Sequence, residues 1–165
     1  MPKANVLLVD DERDFIEAMG DRLEIRGYQV FRSLTGEDAL ANLEKEPDID
    51  VTILDLKLPG MGGIEILTEI KKRHPLVQVI MLTGYSTVAS ATEAIKLGAF
   101  DYVVKPFDTD RLIALVDEAA QIKRNFVEEI RETRQIPYIS ERNRENLLAE
   151  IMEAAAKGKR SGPTQ

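Results

Sequence analysis

The stretch VTILDLKLPGMGG, residues Val51 to Gly63, joins two opposite tendencies. Val51 to Leu54 are β-branched or apolar with no polar alternation, the pattern of a strand buried on both faces of a parallel sheet. Pro59, Gly60, Gly62 and Gly63 then break regular structure. Asp55 stands at the transition, a carboxylate where a buried strand gives way to a loop. The glycines read as a turn and a helix entry rather than a phosphate cradle. No GxxxxGK followed by Ser or Thr occurs, which excludes a nucleotide P-loop.

Outward from this stretch the same alternation repeats. Asn5–Val9, Gln29–Ser33, Asp50–Leu54, Val77–Leu82 and Phe100–Val104 read as strands, mostly too apolar to have one wet face. Between them lie helical periodicities. Phe15, Met19 and Leu23 precede Gly27; Thr35 caps a helix carrying Ala39, Leu40 and Leu43; Ile64, Leu67 and Ile70 mark a third. Val88, Ala91 and Ile95 form the apolar stripe of a fourth helix ending at Gly98, and Thr109 starts a fifth. Five strands alternating with five helices predict an α/β fold with a parallel sheet covered on both faces. In such folds polar ligands collect at the carboxyl ends of the strands.

Those ends carry Asp10, Asp11 and Glu12 after the first strand, Asp55 after the third, Thr83 and Gly84 after the fourth, and Lys105 and Pro106 after the fifth. The second strand contributes only Ser33 and Leu34. Converging carboxylates repel and take up protons unless a cation sits among them. Oxygen donors without sulfur or imidazole suit Mg²⁺, which binds one or two carboxylates together with phosphate oxygens. Asp55, alone at a central strand end, is the candidate nucleophile for a phosphoryl group. Asp10 and Asp11 read as metal ligands, while Thr83 and Lys105 are placed to contact phosphoryl oxygens.

Composition excludes several other chemistries. With no cysteine among 165 residues, disulfides, thiolate nucleophiles and zinc–thiolate sites are ruled out. The single histidine, His74, cannot build a histidine metal cluster and reads as a helix end before Pro75. A net charge of −7 argues against non-specific nucleic-acid binding. Residues 123–165 hold nine Lys or Arg and seven Glu, a balance of +2, so the acidity (−9) belongs to residues 1–122. No apolar run approaches the roughly 20 residues of a membrane span, and the amino-terminal apolar stretch is too short for a signal-peptide core, so the expected compartment is the cytoplasm.

The motifs VLLVDDE, ILDLKLPGMGG, MLTG and FDYVVKPF together resemble the receiver domain of two-component response regulators over roughly Lys3 to Arg124. The spacing is specific in combination: Asp55 lies 45 positions after Asp10, Thr83 28 further on and Lys105 22 beyond that. The resemblance implies a flavodoxin-like, doubly wound sheet of strand order 2-1-3-4-5. It implies phosphoryl transfer to Asp55 from a sensor histidine kinase or phosphotransfer protein in a phosphorelay. Asp10, Asp11, Asp55 and the Lys57 backbone carbonyl would hold Mg²⁺. Thr83 and Lys105 would contact the phosphoryl group, and Lys105–Pro106 would be cis. Tyr102 would act with Thr83 as the switch, altering the face of fourth helix, fifth strand and fifth helix. Lys57 and Tyr85 would border the pocket. The middle of the chain resembles receivers of enhancer-binding activators, without their ATPase.

Residues 1–124 are thus expected as the receiver and 125–165 as a helical extension with a disordered tail, KGKRSGPTQ. Leu112, Leu115, Ala119, Ile122, Phe126 and Ile130 continue one stripe until Pro137, and Ser140 caps a helix with Leu147, Leu148, Ile151 and Met152 on one face, ending at Gly158. That helix either folds back on its predecessor or forms a dimer or partner surface. The expected role is a signalling receiver acting on an unidentified downstream protein, with homodimerisation through the fourth helix, fifth strand and extended fifth helix. Alternatives are a phosphorylation-independent interaction module and the regulatory part of a longer activator; a metabolic hydrolase is disfavoured, since no loop supplies a substrate pocket. The absence of a recognisable tag at the end favours a complete chain over a fragment.

Overall fold

Strands with no polar alternation leave no face for solvent, and the computed structural model, which describes residues 1–84 and 87–158, covers both faces with helices. The order is β1 (Asn5–Val9), α1 (Arg13–Ile25), β2 (Gln29–Ser33), α2 (Gly36–Lys45), β3 (Val51–Leu54), α3 (Gly63–Arg73), β4 (Gln78–Thr83), α4 (Val88–Lys96), β5 (Asp101–Val104), α5 (Thr109–Arg134) and α6 (Glu141–Ala156). The strands form one parallel sheet of order β2-β1-β3-β4-β5. This is the expected flavodoxin-like sheet, with C-terminal helices added.

Strand periodicity of two divides the core. Val6, Leu8, Ile53, Ile80 and Leu82 pack with Ile16, Met19 and Leu23 of α1 and Leu112, Val116 and Ala119 of α5. Leu7, Val9, Leu54, Val79 and Met81 pack on the other face with α2, α3 and Ala94 of α4. The apolar stripe expected on α4 is corrected by its burial. Val88 and Ile95 are 86% and 46% exposed, and the buried residue is Ala94. Periodicity locates a stripe, but this short alanine-rich helix lies close to the sheet on its small side and turns its larger residues outward.

Thr35, Thr87, Asp108 and Ser140 cap α2, α4, α5 and α6 through side-chain oxygens that accept from the amides of Asp38, Ser90, Asp110 and Asn143. The glycines of the opening stretch have distinct tasks. Gly60 has φ +74°, a left-handed turn. Gly63 brings α3 so near β3 that a Cβ would lie 2.3 Å from the Asp55 carbonyl oxygen.

Helix α5 runs without a break through residues 124 and 125, where the extension is expected to begin. Of the two expectations for the last helix, the structure shows the fold-back. Phe126 and Ile122 of α5 are buried with Ile151 and Ala155 of α6, against Leu76 and Phe100 at the lower end of the sheet, opposite the strand carboxyl ends. Of the residues expected on this face, Ile151 is buried, Leu148 and Met152 are half-buried and Leu147 is 39% exposed, while Ala155, not expected there, is buried with Ile151. The Arg144 guanidinium donates to the carbonyls of Thr133 (3.0 Å), Arg134 (2.7 Å) and Ile136 (3.0 Å), closing the last turn of α5 where its carbonyls lack helical partners. At its other end α6 reaches the α4–β5 turn. A Cβ on Gly98 would meet the Ala156 carbonyl oxygen at 2.5 Å, and one on Gly158 the Gly98 carbonyl oxygen at 2.8 Å. Lys157 and Gly158 therefore cap and turn α6 rather than open a loose tail, while 159–165 lie outside the described residues.

Two lysines are buried at this lower end. Lys123 of α5 donates to the Ile49 carbonyl (2.8 Å) and pairs with Asp50 (3.2 Å). Lys71 of α3 donates to the carbonyls of Pro75 (2.8 Å) and Val77 (3.0 Å), and burial pushes its ammonium pKa down to about 8. These two carbonyls take two of the three N–H donors of its ammonium. Among the described residues no helix is long and apolar enough to cross a membrane.

Both the buried lysine and the helix clamp can be measured. Because the folded-state pKa of Lys71 lies below its unfolded value of 10.5, the unfolded chain binds the extra proton between those values. Stability therefore rises with pH from about 8 toward 10.5, by up to about 3 kcal/mol from this group. Denaturant titrations at pH 7.5 to 10 are expected to show that rise in the parent and its loss in Lys71→Met. Arg144→Ala removes charged hydrogen bonds each worth about 1.5–3 kcal/mol, so amide exchange across residues 141–156 is expected to quicken at least about tenfold while the sheet stays protected.

Candidate functional site

The register of the sheet brings the predicted residues together. Val9 pairs with Leu54, and the Asp55 amide donates to the Val9 carbonyl (3.0 Å), setting Asp55 beside Asp10. Thr83 pairs with Val104, and the Lys105 amide donates to the Thr83 carbonyl (2.9 Å), so the fourth and fifth strand ends carry Thr83 and Lys105 to the same rim. Lys105–Pro106 is cis, as the resemblance implies.

Asp10, Asp11 and Asp55 each offer a carboxylate oxygen, all within 4.8 Å of one another. Asp10 and Asp55 are buried and Asp11 is exposed, so the cluster has a wet side. Asp10 is held by its neighbours: Oδ1 accepts from the Glu12 amide (2.9 Å) and Oδ2 from the Lys105 ammonium (2.8 Å). Glu12 itself is the N-cap of α1 without a side-chain cap bond, leaving the capping geometry to the backbone. Burial pushes the Asp55 carboxyl above its ordinary range. The Thr83 hydroxyl and the Lys57 amide, donating to it, oppose that shift; Asp10 adds to it, and Lys105 opposes it.

The donor set fits a hard divalent cation. Three carboxylates supply oxygen only, and each Asp10 oxygen, although engaged once, keeps a second lone pair. Lys57 is exposed in the loop after Asp55, next to the cluster in sequence. Tyr102, on β5, is half-buried against the α3/α4 side of the core, with its hydroxyl 3.2 Å from the Ser90 Oγ of α4. Tyr85 lies outside the described residues.

Two neighbours of the site are not apparent from the sequence. Ser90 forms a capping box with Thr87 and also meets Tyr102; the box is legible in the Thr-Val-Ala-Ser spacing, the tyrosine contact is not. Phe15 has its ring 4.0 Å from the Lys105 ammonium, 90 positions away, although its spacing from Met19 and Leu23 reads only as helix core.

The profile of the response regulator receiver domain matches residues 6–117. An NtrX-like response regulator of Rickettsia bellii is 39% identical over 124 residues, 74% of this chain and 26% of that one. The nitrogen assimilation regulatory protein NtrX of Azorhizobium caulinodans is 36% identical over 135 residues, 80% of this chain and 29% of that one. This chain thus spans about a quarter of the length of such relatives. Among solved structures, a receiver domain from Clostridium thermocellum is 35% identical with a TM-score of 0.70, covering 73% of this chain and 97% of that one. CheY of Borrelia burgdorferi, crystallised with CheX, BeF₃ and Mg²⁺, is 26% identical with a TM-score of 0.66, covering 70% of this chain and 87% of that one. The acids of β1 and β3, the β4 threonine and the β5 lysine stand together at the strand ends of a 2-1-3-4-5 sheet, and this chain belongs to the response regulator receiver domain family, a family of signalling regulators rather than metabolic enzymes.

Proposed function

We propose that Asp55 accepts a phosphoryl group from a phosphohistidine on a sensor histidine kinase or phosphotransfer protein in the cytoplasm. The observation that carries this reading is the convergence of three carboxylates within 4.8 Å, bordered by Thr83 and by Lys105 on Asp10. A purely structural domain has no use for that cluster, since its self-repulsion costs stability.

An oxygen of the Asp55 carboxylate attacks phosphorus; the new P–O bond forms as the P–N bond to the donor imidazole breaks, its electron pair going to the departing nitrogen. Asp10, Asp11, Asp55 and the Lys57 backbone carbonyl would hold Mg²⁺, which when bound would supply charge neutralisation at the phosphoryl oxygens. Lys105 and the Thr83 hydroxyl donate to those oxygens, and the Asp10 carboxylate keeps the ammonium at the rim before transfer. The Mg²⁺ in the Borrelia CheY complex supports this assignment for a chain with the same fold. Withdrawal of Thr83 toward the phosphoryl group opens space beside Tyr102, whose hydroxyl then exchanges its Ser90 contact for a more buried position.

Residues 1–124 act as the receiver and 125–165 as its extension. The output face is α4, β5 and α5, where Val88, Ile95 and Val104 expose apolar surface to a second copy of the chain or a downstream protein. A longer activator carrying this receiver is the second reading, supported by relatives about three times as long as this chain.

Incubation with acetyl phosphate is expected to add one phosphoryl group per chain, detected by intact mass, only with Mg²⁺ present. Asp55→Asn is expected to abolish the addition; undiminished labelling of that variant sinks the assignment. Light scattering with Mg²⁺ is expected to show a doubled mass when beryllofluoride is added. Equal mass in both conditions removes the phosphorylation-driven homodimer, and a dimer already present without the mimic supports a phosphorylation-independent module.

A further inference from the structure

We infer that Phe15 is a positioning residue for phosphoryl transfer, its ring face fixing the Lys105 ammonium beside Asp10. The inference rests on the phosphoacceptor reading of Asp55.

A lysine ammonium is a compact charge on a flexible four-carbon stem, so its position at a reacting group depends on what surrounds it. Here two groups surround it. Asp10 Oδ2 accepts from Nζ at 2.8 Å, and the centroid of the Phe15 ring lies 4.0 Å from the same nitrogen. The distance is well inside the roughly 6 Å over which an aromatic face attracts a cation, and the lysine side chain is only 19% exposed, so water screens the attraction little. Two of its approaches taken, the three-donor ammonium keeps N–H groups for oxygens delivered to Asp55.

The ring is itself braced. Phe107, two residues beyond Lys105, meets Phe15 edge to face, with centroids 6.4 Å apart and planes at 84°. Phe15 thus joins the first turn of α1 to the loop that delivers the lysine. The core-facing residues of α1 are Ile16, Met19, Gly20 and Leu23, whereas Phe15 is half-buried at their edge. Packing alone would be served equally by an aliphatic residue there, and an aliphatic residue has no quadrupole to hold a cation.

The test measures Mg²⁺-dependent phosphorylation by acetyl phosphate, in which the Asp55 oxygen–phosphorus bond forms as the phosphorus–oxygen bond to acetate breaks and acetate leaves with the electron pair. Phe15→Leu is expected to slow labelling by about threefold to thirtyfold, the span of a partly desolvated cation–π contact, and Phe15→Tyr to stay within about twofold of the parent. In a Lys105→Ala background, Phe15→Leu is expected to add no further loss. A Phe15→Leu rate equal to the parent's, or the same loss with and without the lysine, overturns the inference while leaving Asp55 as acceptor. A parent that does not label, or an Asp55→Asn variant that does, overturns the acceptor reading and this inference with it. An independent readout is the upfield ring-current shift of the Lys105 Cε protons, expected in the parent and lost in Phe15→Leu. Where that variant fails to fold, Phe15→Met serves in both measurements.

Discussion

Repulsion between Asp10 and Asp55 is the constraint around which the upper end of the sheet is arranged. Parallel pairing of β1 with β3 fixes the two acids as neighbours with carboxylate oxygens within 4.8 Å, so that their repulsion adds to the cost of burying them. Each contact around them opposes that cost. Lys105 crosses from β5 to reach Asp10, the Glu12 and Lys57 amides donate to one carboxylate each, and Thr83 donates to Asp55. A set of donors sufficient for two anions in the resting chain is also suited to a third, because oxygens on a phosphoryl group ask for the same partners. The chemistry and the local stability problem therefore have one solution, the convergence of strand ends β1, β3, β4 and β5.

Much of this arrangement is legible in the sequence. Strands without polar alternation announce a sheet covered on both faces, and that architecture directs attention to the residues after each strand, where Asp10, Asp55, Thr83 and Lys105 stand. Residue types at strand ends survive errors of one position in strand boundaries, such as β4 running to Thr83 rather than stopping at Leu82. What periodicity does not encode is direction. On α4 the larger residues Val88 and Ile95 make the visible stripe, while the buried contact is the small Ala94, so the pattern points to the outward side. Phe15 illustrates the second gap: its helix register is clear, but its partner lies 90 positions away and enters only through the fold.

The tail shows the same division. The length of α5 and the start of α6 follow from an apolar stripe, Pro137 and the Ser140 cap. An amphipathic stripe asks only to be covered, and a helix from the same chain covers it as well as one from another. Three particular contacts decide the matter here. Arg144 closes the end of α5, Phe126 is buried beneath Ile151, and the turn at Gly158 fits against Gly98 because neither residue has a Cβ. None of these is a property of a pattern; each is a pair whose members must first be brought together.

Accounting for buried polar groups separates scaffold from site. At the lower end Lys71 and Lys123 are occupied by backbone carbonyls of the loops they brace, with Asp50 completing the second, so their burial fixes the α3–β4 and α2–β3 connections. At the upper end the buried groups are acids that press on one another, with Asp11 leading from them to solvent. Saturated buried charge rigidifies a structure, whereas like charges held together store a capacity to bind a cation and to respond when a ligand changes their balance. Helix α5 spans both regimes: it starts beside the loop that delivers Lys105 and Phe107, is pinned midway by Lys123, and ends under the Arg144 clamp. The rigid end of the molecule is thus the one to which the extension is attached, and the acidic pocket retains its strain at the other.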